Sequence, residues 1–239
     1  MTPGVHPTNL LLASLPNAVR ARLRSDLKPV ALALGDVVYE PGTAISHLYF
    51  PTSAVISLIY TMEGGATAEM GLVGNEGVAG IAVFMGGDTT PNQAVVQVAG
   101  GALRMGANAM LAEFRRGGPF QLALLRYTQA LITQISQTAV CNRLHPIEKR
   151  LCRWLLLTRD RVPSEELIMT QDFIAHMLGV RRESVTAAAH RLQSAGLIRY
   201  ARGHITILNR EELEGSACEC YRVVKTELDR LLAKRLPGQ

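Results

Sequence analysis

Residues 170–194, TQDFIAHMLGVRRESVTAAAHRLQS, restrict the fold more than any other stretch of this 239-residue chain. Ala175 stands four positions before Gly179, and Val185 follows that glycine by six. Two helices that cross closely need a small side chain where their backbones approach. They also need a glycine where the chain turns and an apolar residue where the second helix re-enters the core. Thr170 suits an N-cap, with Asp172 in the first turn. Phe173, Ile174, Met177 and Leu178 share a face, and Val180 returns to the core. A second helix begins near Arg182, with Val185, Ala188 and Leu192 inward. The spacing predicts a helix-turn-helix.

Two short β runs follow, Gly196–Tyr200 and His204–Leu208, around Arg202-Gly203. They predict a hairpin with a basic tip, and with the preceding helices a winged helix. Residues 181–210 hold six Arg (181, 182, 191, 199, 202 and 210) against one acid, Glu183. The bias suits a phosphate backbone; a winged helix used only for protein contacts is the plainer alternative. The outward face of the second helix predicts base reading by Arg182, Glu183, Thr186 and Ala187. Arginine donates two hydrogen bonds to guanine, glutamate accepts from cytosine, and Thr or Ala meets a thymine methyl. Glu183 also compensates the helix N-terminus. Thr170, Arg181, His190, Arg191, Arg199 and Arg202 are the expected phosphate contacts.

Upstream the pattern differs. Residues 10–28 predict a short helix. From 29 to about 108, runs such as Val37-Val38-Tyr39, His47–Phe50, Ala54–Tyr60 and Ala94–Val98 alternate with Gly, Pro and Asn. Most of the 21 Gly lie between 35 and 106. Many short strands between tight turns predict a jelly-roll β-barrel. After Pro119 the period becomes helical, with Leu122, Leu125, Ile132 and Ala139 on one stripe that Leu124, Leu131 and Ile135 widen. A stripe that wide points to burial against two surfaces, the chain's own barrel and a second copy, with a single core helix as the plainer alternative. Leu122, Leu125, Ile132 and Ala139 are the expected dimerisation residues. The fold class is therefore α+β: a β-roll sensor over 1–118, a dimerisation helix over 119–145, and a winged helix with a C-terminal helix over 146–239.

Charge follows the same division. Residues 1–118 carry 7 Lys and Arg against 8 acids; residues 119–239 carry 18 against 12, for a net charge of +5. The basic half is the one expected to meet a polyanion. No run of about 18 uncharged apolar residues predicts a membrane span, and the N-terminus does not read as a secretory signal. Four Cys form no disulfide framework, and a reducing cytoplasm is the expected location.

The combination resembles the Crp/Fnr superfamily of bacterial transcription regulators over nearly the whole chain. In the first half the resemblance rests on Gly35-Asp36-Val37-Val38-Tyr39-Glu40-Pro41-Gly42, Leu48-Tyr49-Phe50 and Val55. In the second it rests on Ile147-Glu148-Lys149-Arg150-Leu151, Thr170–Ala175 and, most specifically, Leu178-Gly179-Val180-Arg181-Arg182-Glu183-Ser184-Val185. The resemblance implies a homodimer on an inverted-repeat operator in double-stranded DNA, with RNA polymerase as a further partner. It also implies base contacts by Arg182 and Glu183. Where the family commonly carries another base-reading arginine this chain has Ala187, so the family's best-known half-site does not carry over. Cyclic-nucleotide members hold their ligand with a Gly-Glu pair and a following Arg-Ser or Arg-Thr pair. Here the matching stretches read Gly80-Ile81-Ala82 and Pro91-Asn92-Gln93-Ala94. A cyclic phosphate would lack its cation there, so tight cyclic-nucleotide binding is not expected. Glu76 is nearby but precedes that Gly pair, and is expected to be a turn residue.

No cofactor, metal or catalytic residue is expected, and the input is an unidentified small molecule or redox signal. The N-terminal cysteines of iron–sulfur members are absent, since the first is Cys141. Cys218 and Cys220, read as part of one last helix over about 210–236, point to nearly opposite sides and could not grip one ion. A thiol- or metal-responsive regulator switched through Cys141, Cys152, Cys218 or Cys220 is the alternative. A cupin-like metalloenzyme is the third reading, but His47 stands alone in the barrel.

Overall fold

A computed structural model describes residues 8–162 and 164–232. Two short helices lead in, α1 (Leu10–Ala13) and α2 (Asn17–Leu23), interrupted at Pro16 where the expected single helix cannot continue. Asn9 caps α1 through its side-chain oxygen, and its amide donates to Pro51 O and Gly77 O at 2.9 and 2.8 Å. The lead-in is thereby tied to the barrel.

Seven strands follow: β1 (Lys28–Leu32), β2 (Val37–Tyr39), β3 (His47–Pro51), β4 (Val55–Thr61), β5 (Thr67–Val73), β6 (Gln93–Val98) and β7 (Gly100–Gly106). They form two antiparallel sheets, β1-β7-β3 and β2-β6-β4-β5. Leu48 and Phe50 of one sheet and Ile56, Leu58, Val73 and Ala94 of the other share one buried cluster, so the sheets close face to face as a roll. Gly100 is required by close approach, since a Cβ there would lie 2.5 Å from Ala54 N.

Helices α3 (Ala107–Arg115) and α4 (Pro119–Leu144) leave the roll. Pro119 opens α4 where its missing N–H costs nothing. Phe120, Ala123, Leu124, Tyr127 and Leu131 pack α4 onto the roll. Next come α5 (Ile147–Arg159), β8 (Glu166–Ile168), α6 (Gln171–Leu178), α7 (Arg182–Ser194), β9 (Ile198–Ala201) and β10 (His204–Ile207). The wing is a three-stranded sheet, β8-β10-β9, not the expected hairpin alone; β8 is only three residues long and gives no periodic signal. The α+β reading of roll, long helix and winged helix-turn-helix describes the fold.

Three expectations need correction. The last helix is two, α8 (Arg210–Ser216) and α9 (Glu219–Leu232), because the backbone turns extended at Ala217. Residues 233–236 of the expected helix lie outside the described residues. The expectation that Cys218 and Cys220 point to nearly opposite sides rested on their lying on one continuous helix. The break places Cys218 ahead of α9 and Cys220 in its first turn, and the donor atoms of Cys141, His145, Cys218 and Cys220 lie within 4.8 Å of one another. Glu76 does more than serve a turn: it forms a buried ion pair with Arg161, Nε to Oε1 at 2.8 Å.

The buried core does not stop at the end of the roll. Val55, Ile59 and Leu72 join one cluster with Trp154 and Leu155 of α5, Ile174 and Leu178 of α6, Val185 of α7 and Ile205 of the wing. Helix α5 is buried from Leu151 to Thr158 because it lies between the roll and the winged helix. Helix α9 packs along α4 of its own chain. Among the described residues no helix is long and apolar enough to cross a membrane.

Candidate nucleic-acid interface

The geometry of the reading element follows from local rules. Thr170 caps α6 by accepting from Phe173 N at 3.1 Å. Gly179 ends α6 in the left-handed region, φ 61°, where L side chains are strained. The chain turns back through Val180 N to Ala175 O at 3.0 Å, and Arg181 leads into α7. Val185, Ala188, Ala189 and Leu192 bury one face of α7. Arg182, Glu183, Thr186, Ala187 and His190 are exposed on the other.

The wing brings a second cationic element to the same place. Arg202 (φ 53°) and Gly203 (φ 83°) form the two-residue turn between β9 and β10. Both are left-handed, which matches the twist of the paired strands. Arg202 is the one non-glycine residue with positive φ among those described. The strain sits at the point that carries the charge.

Thr170, Gln171, Asp172, Arg182, Tyr200, Arg202 and Gly203 line one cleft of about 350 Å³. The predicted base reader Arg182 and the predicted phosphate contacts Thr170 and Arg202 therefore converge. Asp172 Oδ1 lies 3.6 Å from Arg182 Nε, an exposed pair whose Coulomb attraction water screens. Thr186 Oγ1 donates to Gln171 Oε1 at 2.6 Å, so α6 holds part of the reading face of α7. Tyr200 donates through its hydroxyl to Met169 O at 2.9 Å, and Gln193 Oε1 accepts from Tyr200 N at 2.7 Å. These contacts lock the wing to the end of α7. Burial, reinforced by the Asp172 carboxylate, pushes the Tyr200 hydroxyl up and keeps it a donor.

The remaining expected contacts spread out. Arg181, His190 and Arg199 are exposed around this face. Arg191 is ion-paired with Glu148 of α5, so it braces α7 against α5. Glu183, in the first turn of α7, makes no ion pair among the described residues and keeps its acceptor capacity. Sequence reasoning passed over Gln171 and Tyr200. Tyr200 carried a readable signal, a large aromatic beside the basic turn; Gln171 carried none, since its partner is fifteen residues away.

The stripe on α4 divides in two. Leu125, Ile132 and Ala139 are exposed and lie seven residues apart, while Leu122 is half-buried. A second cavity, about 340 Å³, lies where the roll faces α4. It is lined by Tyr39, Leu58, Ile81, Ala82, Asn92 and Leu131 among others, none of them charged.

Residues 149–215 match the family of the Crp-like helix-turn-helix domain. No curated protein is detectably similar in sequence. Among solved structures, FixK2 from Bradyrhizobium japonicum gives a TM-score of 0.69 at 13% identity, over 80% of this chain and 98% of that one. The c-di-GMP-responsive global regulator CLP of Xanthomonas campestris gives 0.64 at 15%, over 81% and 100%. A Crp/Fnr-family transcriptional regulator of Thermus thermophilus gives 0.62 at 20%, over 87% and 100%. At these identities the likeness is one of fold.

Proposed function

The chain carries a Crp-like helix-turn-helix domain within a Crp/Fnr fold, and from that premise we propose that it is a sequence-specific DNA-binding transcription regulator. It works in the cytoplasm as a homodimer on an inverted repeat, with RNA polymerase as its further partner. The observation that carries this reading is the cleft where Arg182 of α7 and Arg202 of the wing converge beside the exposed Glu183, Thr186 and Ala187. A helix with one polar, uncovered face and a cationic hairpin at its flank fits a major groove and its bordering phosphates. Arg182 and Glu183 read bases; Arg181, His190, Arg199 and Arg202 hold phosphates.

The dimer reading rests on α4. Leu125 is 48% and Ile132 52% exposed, and with Ala139 they repeat at the heptad interval. Covering such a seam takes a second parallel helix, and another copy of α4 supplies one. Two α7 helices then meet successive major grooves, about 34 Å apart.

Selection of duplexes from a random pool tests this directly. The expected product is an inverted repeat bound by two chains. Arg182→Ala and Glu183→Ala each relax preference at one base pair per half-site, by about 1–3 kcal/mol. Arg202→Ala weakens all duplexes alike and lowers the salt dependence. Recovery of no preferred duplex, or binding by single chains, overturns the reading.

The input is not a cyclic nucleotide in this reading. The cavity between roll and α4 includes Ile81, Ala82 and Asn92 of the stretches that match the family's phosphate-binding loop, and it offers no cation. Titration calorimetry with cyclic AMP and cyclic GMP is expected to show no binding at micromolar concentration; saturable heat there would refute it. No reaction is assigned to the chain. His47 Nδ1 faces Ser46 Oγ at 2.9 Å, and among the described residues His47 belongs to no group of three or more metal-ligating side chains.

A further inference from the structure

The cluster Cys141, His145, Cys218 and Cys220 lies away from both the DNA face and the cavity in the roll. Cys141 and His145 are one turn apart at the end of α4 and share a face. Cys218 and Cys220 arrive from the break between α8 and α9. Cys141 Sγ is 3.4 Å from Cys218 Sγ, and Cys220 Sγ is 3.6 Å from His145 Nδ1. All four donor atoms fall within 4.8 Å of one another. A tetrahedral ion with bonds of about 2.3 Å to sulfur and about 2.0 Å to nitrogen spaces its ligands by roughly 3.5–3.8 Å.

Three further observations separate a ligand set from ordinary buried thiols. Cys141, Cys218 and Cys220 form a buried cluster of their own, outside both large apolar cores, whereas Cys152 sits within one of them. His145 turns its other nitrogen, Nε2, to Glu219 Oε2 at 3.4 Å. That is the carboxylate support that fixes the ring tautomer and leaves Nδ1 free to bind. Arg153 is 4% exposed and donates to Thr138 Oγ1 at 2.5 Å, while its buried Nε has no partner among the described residues. Its positive charge acts on Cys141 and Cys220. Three thiolates and a neutral imidazole around a divalent ion carry a net charge of −1, which Arg153 offsets.

We propose that Cys141, His145, Cys218 and Cys220 form a Cys3His site for a soft divalent cation, Zn(II) being the ion whose tetrahedral preference they match. Binding forms three metal–sulfur bonds and one metal–nitrogen bond, and each thiol that is still protonated gives up its proton to solvent. No electron is transferred. The ion ties the end of α4 to the start of α9, at the joint where the chain passes through Pro146 into α5. The site does not depend on the DNA-binding reading.

The test uses the full chain purified under reducing, anaerobic conditions. Elemental analysis is expected to find one zinc per chain. Co(II) replacement should give the intense visible and near-ultraviolet bands of a tetrahedral thiolate site. Cys218→Ser and Cys220→Ser should each weaken the sulfur-to-cobalt band and lower the zinc retained, and Cys152→Ala should leave both unchanged. Glu219→Gln alters an exposed side chain and leaves the fold intact; it should weaken Zn(II) binding about 10–100-fold. A folded chain that shows no thiolate–cobalt band overturns the site. So does metal content equal in the Cys152, Cys218 and Cys220 variants, or a Cys141–Cys218 disulfide in place of metal.

Discussion

Glu76→Ala is expected to lower the unfolding free energy by about 3–5 kcal/mol, the scale for stranding one member of a buried ion pair. Arg161 and Glu76 expose only 4% and 5% of their side chains. Arg161 also donates from Nη1 to Leu157 O at 2.7 Å, and Glu76 Oε1 accepts weakly from Gly74 N at 3.3 Å. Remove the carboxylate and the guanidinium stays buried without its counter-charge. The surrounding turn cannot relax to help. A Cβ on Gly74 would lie 2.6 Å from the Arg161 stem, and one on Gly77 1.9 Å from the Tyr127 ring. The pair itself need not be net stabilising, because desolvating two charges costs about as much as their attraction returns. Adding Arg161→Met to Glu76→Ala should therefore recover most of the loss. Urea unfolding of the two variants beside the parent decides it; a loss below about 1 kcal/mol in the single variant would show that water reaches the pair.

The second large effect is one of pH. Glu69 of β5 is fully buried, and its carboxyl is pushed up from the ordinary 4.5 to about 7, chiefly by burial, against the pull of its hydrogen bonds with Ser57 and Trp154. Its geometry points the same way. Ser57 Oγ lies 2.7 Å from Glu69 Oε2 and 2.5 Å from Gln97 Oε1, yet a serine has one proton to give. Protonated Glu69 resolves the conflict. It donates to Ser57, Ser57 to Gln97, and Gln97 Nε2 to Thr158 Oγ1 at 3.0 Å. Thr158 donates to Trp154 O at 3.0 Å, and Trp154 Nε1 returns to Glu69 Oε1 at 2.9 Å. Because the folded-state value lies above the unfolded one, the folded chain holds a proton between about pH 4.5 and 7 that the unfolded chain has released. The contribution is fully present below about 4.5 and is lost as pH rises through about 7. Glu69→Gln keeps an acceptor for Trp154 and a donor for Ser57, and it has no proton to lose. Relative to this variant, the parent should lose on the order of 3 kcal/mol of stability from pH 4.5 to above 7. Parallel stability curves for the two proteins would sink the assignment.

What could be read from the chain alone was what is local. The Ala175–Gly179–Val185 offsets, the Thr170 cap and the Arg202-Gly203 turn each depend on residues within a few positions. They marked α6, α7 and the wing turn in advance. Strands β5 and β7 were harder, since Gly71, Gly100, Gly101 and Gly106 interrupt their apolar alternation. Those at 100 and 101 answer to the backbone of the turn between β3 and β4 and to Thr52. Nothing in Ser216-Ala217-Cys218 marks a helix end. The break follows from packing α9 along α4, and without it the cysteines seemed to diverge. Glu76 and Arg161, 85 residues apart, belong to the same class of fact. Charge pairing across that distance leaves no periodic trace.

The tip of β5 touches the turn of the reading element. A Cβ on Gly179 would sit 3.3 Å from Ala68 Cβ, and Thr67 Oγ1 reaches His176 O at 3.4 Å. With Val55, Ile59 and Leu72 packed among the side chains of α5 to α7, receiver and reader are forged as one blade. In the proposed dimer a signal that moves the roll would carry the reading element with it, so adjusting the distance between two reading heads falls to the rivet, the seam along which the α4 helices would slide or twist.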